Sequence, residues 1–421
     1  MNVDRRQAYK PPPRPDWVAR INAEGPVLGA GVVPLDSDSL LATARANTGL
    51  SDFGDRDPDD HWRAHFEVLI DSIEREAELN LLGRLLTRSD LLIYLQNRLQ
   101  VIDWYKRHPE IAEQLISQPV FIVGLPRSGT TILHEVLAQD DRFRFVRKWE
   151  ALFPCPPPEE RTHATDPRIR RGDDLITIQN RISPEWKSMH DVGGELPVEC
   201  IEFTTSSFLS EMFTASFQIP SYQDYLQSAD ITEMYRWHKK MLKLLQWRFR
   251  RPFWLFKGCN HEPHIPQLLK VYPDAKIILT HRDPIKAVSS VVSVQGTIFG
   301  FRTDDPFSRN SYDGWLRVDA VAAMLNRRVD WIADGTLPAG QVANIRFADF
   351  SSRPIETLRQ LYRDLGLALA VDTERKFSDY LARKPKGVFG VHAYSSGDEA
   401  VIRSERSLFD RYQRYFQVPN E

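Results

Sequence analysis

Cysteine is scarce in this chain: three in 421 residues, at 155, 200 and 259. Spaced so far apart, they form neither a metal-ligand pattern nor a disulfide framework, and a reducing, cytoplasmic setting is the expectation. Long apolar runs are also missing. No stretch reaches the about 18 residues that a membrane-spanning helix requires. The opening residues, Met1 to Arg6, are polar and charged, unlike the apolar region of a signal peptide. An excess of one charge is absent as well. The formal net charge of −2 argues against a general nucleic-acid partner and makes any positive site a local one. There is no internal repeat, and no low-complexity tract beyond the prolines at 11, 12, 13 and 15.

What is present is a 42% hydrophobic content, enough for a sizeable core. Residues 1–35 read as an extended, proline-rich arm. Residues 36–115 read as mainly helical, with Ser89-Asp90 as an N-cap before Leu91, Leu92, Ile93, Leu95, Leu99 and Ile102, and with His108-Pro109 as a break. From 116 to 421 short apolar runs recur: Val120–Val123, Phe143–Val146, Phe253–Phe256, Lys276–Thr280 and Val342–Phe347. Helical patterns such as Met234–Phe249 and Ile355–Leu365 separate several of them. This alternation predicts an α/β fold, a three-layer sandwich around a mainly parallel sheet, with a helical N-terminal addition. Ligands of such sheets collect at the carboxyl ends of the strands. An acceptor-side insertion is expected at about 151–250. Its aromatic residues Phe203, Phe208, Met212, Phe213, Phe217, Tyr222 and Tyr225 read either as an apolar pocket lining or as the inner faces of cover helices.

The most informative stretch joins the first strand to the helix after it: Gly124-Leu-Pro-Arg-Ser-Gly-Thr-Thr131. Gly124 and Gly129 have the spacing of a P-loop, whose backbone N–H groups cradle an anion over a helix N-terminus. The Lys that should follow is replaced by Thr130, and the cation comes earlier, at Arg127. A nucleoside triphosphatase needs that Lys for the β- and γ-phosphates. The loop therefore suits a phosphate-like group without Mg-dependent chemistry, and no metal is expected. A second strand-to-helix junction, Thr280-His-Arg-Asp-Pro284, places Arg282 at a strand end with Ser290 eight residues on. A guanidinium there can bind a phosphate bidentately.

Together these two junctions resemble the nucleotide signatures of sulfotransferases that use 3′-phosphoadenosine 5′-phosphosulfate (PAPS), in the bacterial branch of that family. The resemblance implies that Arg127, Ser128, Gly129, Thr130 and Thr131 hold the 5′-phosphosulfate, and that Arg282 and Ser290 hold the 3′-phosphate. Phe347, in Ile345-Arg-Phe-Ala-Asp-Phe350, stands where the family presents an aromatic ring to adenine. Lys386-Gly387-Val-Phe-Gly390 is similar to the loop that closes on the 3′-phosphate. Lys257, in Trp254-Leu-Phe-Lys-Gly-Cys-Asn-His261, stands where a Lys reaches the sulfuryl group.

The implied activity is sulfuryl transfer from PAPS to a hydroxyl or amine of a small or lipidic acceptor, leaving PAP. Arg127 and Lys257 supply charge. Arg127 cannot act as a proton-donating acid, because a guanidinium keeps its proton in proteins. The base stays open between Glu150, which follows the second strand, His261, and Glu199 in Leu196-Pro-Val-Glu-Cys200, with the first two put ahead. Two other readings remain: a kinase or nucleoside triphosphatase with a degenerate loop, and a PAP-binding protein without turnover. Monomer and homo-oligomer are both left open.

Overall fold

The computed structural model describes residues 5–189, 192–384 and 399–421. Among these residues five strands form one sheet: β1 (Val120–Val123), β2 (Phe143–Arg144), β3 (Phe253–Lys257), β4 (Lys276–His281) and β5 (Val342–Arg346). Their spatial order is β2-β3-β1-β4-β5 and every pairing is parallel. Each expected strand is present; β2 is two residues shorter than its apolar run. Side chains alternate across the sheet as the pleat requires. Phe121, Val123, Phe256, Ile277 and Leu279 enter one apolar cluster. Val120, Ile122, Leu255 and Ile278 enter another on the opposite face. Helices cover both faces, which accounts for strands that read as continuous apolar runs.

The N-terminal region departs from expectation in two places. The arm at 1–35 is not extended throughout: it contains a 3₁₀ turn at Arg5–Ala8 and helix α1 (Asp16–Leu28). Pro15 precedes α1, and Pro26 falls in its last turn, where little of the helix is left to break. Helices α2 (Ser37–Thr48), α3 (Trp62–Glu76) and α4 (Leu81–Arg107) follow. α4 starts eight residues before Ser89. Its cap is Asn80, whose side chain accepts from the Gly83 N–H at 2.8 Å. Gly83 is needed there because a Cβ would collide with the Arg302 carbonyl. Asp90 is spent on a 2.6 Å ion pair with Arg302 instead of on capping. The break at His108-Pro109 is where α4 ends. Leu40, Phe66 and Leu99 of these helices share one cluster with β1 and β3, so the helical region is packed directly on the sheet.

The order of connections sets the position of the site. The chain leaves β1 toward β2 on one side, through helix α5 (Thr130–Leu137), and leaves β4 toward β5 on the other. The gap between the carboxyl ends of β1 and β4 is thus a topological switch point, where such sheets bind ligands. Between β2 and β3 runs α6 (Thr232–Gln246), and β4 is followed by α7 (Pro284–Gly300). Asp283 caps α7, accepting from the Ile285 N–H at 3.0 Å, with Pro284 in the first turn, a start readable from sequence.

Candidate active site

The loop after β1 is shaped by its two glycines. Gly124 packs against β4, where a Cβ would collide with the Thr280 hydroxyl. Gly129 caps α5 in the left-handed region, at φ 86°, and a Cβ there would lie 2.6 Å from the Phe347 ring. Ser128 ties the loop down: its Oγ lies 2.6 Å from the Leu125 carbonyl and 2.8 Å from Thr280 Oγ1. The first-turn N–H groups of α5, from Thr130 onward, lack intrahelical acceptors by construction and carry the positive end of the helix dipole. The loop therefore presents these N–H groups on a backbone held by close packing against Thr280 and Phe347, an arrangement that suits an anion.

Arg127, itself at φ 69°, joins this loop to α7. Its Nε donates to Ser290 Oγ at 3.2 Å, and its Nη1 to the Met189 carbonyl at 3.1 Å. Arg282 donates from Nη1 to the Arg127 carbonyl at 2.7 Å. Its guanidinium also lies over the Phe347 ring, 4.3 Å from the centroid, a cation–π contact. Arg127, Arg282, Ser290 and Phe347 are distant in sequence, yet they gather at the switch point. Phe347 is the first residue of a short helix after β5, so its aromatic ring is carried to the loop by the strand end.

Lys257, at the end of β3, is the second cation. Its Nζ donates to Thr131 Oγ1 at 3.1 Å and to Glu199 Oε1 at 2.6 Å. The thiol of Cys259 faces Glu199 Oε2 at 3.6 Å. Glu199 lines a small recess together with Thr131, Val192, Leu196 and Lys257, and keeps 24% of its side-chain surface accessible. It is thus a partly accessible carboxylate tied to the loop through Lys257 and Thr131.

The two carboxylate and imidazole candidates ranked ahead of Glu199 are engaged elsewhere. Glu150 is fully buried. It accepts from Arg144 Nη1 at 3.0 Å, pairs with His163 at 3.1 Å and caps its own short helix through the Arg147 N–H at 2.8 Å. Burial would raise its pKa, but the Arg144 charge and these hydrogen bonds override burial and hold the carboxyl at about 2. Such a group is enclosed by protein and is a poor proton acceptor near neutrality. His261 is also fully buried, beneath β1, edge-on to Phe121. Its Nδ1 lies 2.8 Å from the Tyr235 hydroxyl. Burial, and then the charge of His264, lower its pKa to about 3, so it does not titrate near neutrality as its residue type led us to expect. The reason is depth: the turn after Lys257 directs the ring into the core and not toward the loop.

Other expectations are settled by packing. Phe203, Phe208, Phe213, Phe217 and Tyr222 are buried in the main apolar cluster, so these five are core residues and not a pocket lining, while Met212 and Tyr225 are half-buried. Lys386 and Gly387 lie outside the described residues. A larger cavity of about 700 Å³ runs along the outer edge of β5 and is lined by none of the residues that gather at the loop. Sequence reasoning missed Glu421, which grips Arg282 at 2.8 Å, and Thr280, which backs the loop. Glu421 carries no motif that could have marked it, and Thr280, although it opens the second junction, carries no pattern that tells of its contact with the loop.

Residues 119–371 match the sulfotransferase family. The omega-hydroxy-beta-dihydromenaquinone-9 sulfotransferase Stf3 of Mycobacterium bovis is 25% identical over 308 residues, covering 72% of this chain and 75% of that protein. Stf3 of Mycobacterium tuberculosis matches to the same extent. Among solved structures, sulfotransferase STF1 from Mycobacterium tuberculosis H37Rv is 26% identical with a TM-score of 0.71, covering 90% of this chain and 98% of that one. Sulfotransferase STF9 from Mycobacterium avium superposes with a TM-score of 0.75 at 24% identity, covering 92% and 98%, a likeness of fold.

Proposed function

The chain belongs to the sulfotransferase family, and from that premise we propose that it transfers the sulfuryl group of PAPS to a hydroxyl or amine of a small or lipidic acceptor. The observation that carries this reading is the hydrogen-bonded series Thr131–Lys257–Glu199 at the mouth of the anion loop. It sets a hydroxyl, a cation and an accessible carboxylate beside the helix N-terminus. PAPS supplies an activated sulfur whose bond to the bridging phosphate oxygen breaks as the bond to the acceptor oxygen forms. Glu199 takes the acceptor proton. Lys257 balances charge on the sulfuryl oxygens, while Arg127 and the α5 N-terminus neutralise the leaving phosphate. Charge placed in advance where it develops is the main source of catalysis in group transfer of this kind. Arg282 and Ser290 take the 3′-phosphate, and Phe347 takes the adenine.

A lipidic acceptor is favoured because the curated relatives are named for action on a hydroxylated menaquinone. No helix among the described residues is long and apolar enough to cross a membrane. A cytoplasmic setting is part of the same proposal and rests on the scarcity of cysteine. The deciding experiment is thermal stabilisation by PAP beside Mg-ATP, followed by transfer assays with hydroxyl acceptors. Ligand at 100 times its dissociation constant stabilises the folded state by about 2.7 kcal/mol. A shift with PAP and none with Mg-ATP is expected. A shift with Mg-ATP alone would put the kinase reading in its place.

A further inference from the structure

With the aromatic insertion committed to the core, the apolar part of an acceptor needs another surface, and one adjoins the reaction centre. Ser290, Val294 and Ile298 stand at i, i+4 and i+8 on α7 and so share one face of that helix. At its near end, Ser290 accepts from Arg127. Farther along, Val294 and Ile298 pack on an apolar cluster formed by α1, α4, Ile182, Trp186, Met189, Val192 and Phe301. Met189 and Val192 of that cluster touch the centre directly. The Met189 carbonyl accepts from Arg127, and Val192 lines the recess that holds Glu199 and Lys257. Asn22 of α1 bonds the Leu82 N–H and Asp304, beyond the end of α7, so Trp17 and Ile21 of α1, with Leu86 of α4, form the outer end of the cluster, away from Ser290. Of the four apolar clusters among the described residues, only in this one do half-buried members outnumber buried ones. It is an apolar face left partly open, and it is continuous with the site.

We propose that this face binds the hydrocarbon tail of the acceptor, with the terminal hydroxyl at Glu199, so that α1 and α4, which lie outside the family-matched residues 119–371, select long-chain alcohols. The proposal rests on the sulfotransferase reading and extends it to a substrate class. Each methylene covered by such a face removes apolar area from water, up to about 0.8 kcal/mol, or about fourfold in affinity.

The test is calorimetric binding of 1-hexanol, 1-octanol and 1-decanol to the full chain, with and without PAP, repeated on Val294→Asn, Ile298→Asn and Ile21→Asn. Initial transfer rates with the same alcohols accompany it. In the native protein, affinity and kcat/KM should rise by about two- to fourfold per methylene. In the variants the rise should flatten while PAP affinity is retained. Ile21→Asn, at the outer end on α1, should blunt the gain for decanol more than for hexanol. Chain-length dependence that is absent from the native protein, or intact in all three variants, overturns the proposal. Failure of the underlying reading would look different: no PAP binding and no transfer to any alcohol. Alcohol binding without PAP tests the face in either case.

Discussion

Arg282 and Glu421 form a two-pronged ion pair across 139 residues of sequence. Arg282 Nη2 lies 2.8 Å, and Nε 3.1 Å, from the Glu421 carboxylate. The Glu421 backbone N–H donates to Asp283 at 2.8 Å, and Arg406 donates to the same carboxylate at 2.9 Å, so the segment carrying Glu421 is latched to the start of α7. The carboxylate sits where the proposed 3′-phosphate would need the guanidinium. Phosphate and carboxylate therefore compete for one fork. Glu421→Gln should tighten PAP binding by about two- to fivefold, the scale of a half-exposed ion pair. Calorimetric titration with PAP checks this, and weaker binding by the variant would mean that Glu421 orients Arg282 and does not compete for it.

Glu199→Gln and Glu150→Gln should separate chemistry from scaffolding. Loss of a general base costs about 10²–10⁴ in rate, so Glu199→Gln should lower kcat by that order, with a smaller fall in Tm than Glu150→Gln because Glu199 is partly exposed. Glu150→Gln strands Arg144 in the core. Breaking a buried pair costs about 3–5 kcal/mol, so the melting temperature should fall steeply while kcat per folded molecule holds. The reverse pattern would return the base role to Glu150.

Arg127→Ala removes the charge proposed to neutralise the leaving phosphate, together with the donor to the Ser290 hydroxyl. Removal of one such stabilising donor costs about 10²–10³ in kcat. Arg127→Lys should recover part of the charge but not the fork to Ser290 and Met189. Steady-state kinetics on both variants test this, and full activity in Arg127→Ala would exclude the charge role.

Gly129→Ala forces a left-handed residue and pushes the Phe347 ring out of place. The backbone term alone costs roughly 1–2 kcal/mol. A lower Tm and at least a tenfold loss of PAP affinity are expected. Thermal melts and titration would detect them.

Stability should fall with acid. Burial lowers the pKa values of His134 and His261 to about 3, and those of His238 and His281 well below the usual 6.5. Above pH 6.5 these imidazoles are neutral in both states and nothing is lost. Below it the unfolded chain binds protons that the folded chain refuses. Stability therefore declines from pH 6.5 toward pH 3, at up to about 1.4 kcal/mol per pH unit per group. Glu150 adds a further loss from its unfolded value near 4.5 down to about 2. Chemical denaturation at pH 7.5, 6.5 and 5.5 should show a monotonic fall, and a flat profile would contradict the burial of these rings.

The strands, the phosphate loop and the two junctions at Arg127 and Arg282 were legible because each depends on local chemistry: a continuous apolar run, a glycine spacing, an Asp-Pro helix start. The α/β class, the glycine-bounded loop and the family resemblance all follow from such local pattern. Which acid lies beside the loop is a matter of packing. Glu150, His261 and Glu199 are each near a strand end or a turn, and a one-dimensional pattern cannot tell a carboxylate gripped by Arg144 from one gripped by Lys257. That choice depends on burial and on partners brought from other strands. The same holds for the aromatic insertion, whose rings the fold turned inward, and for Glu421, brought onto Arg282 by packing that no local pattern encodes.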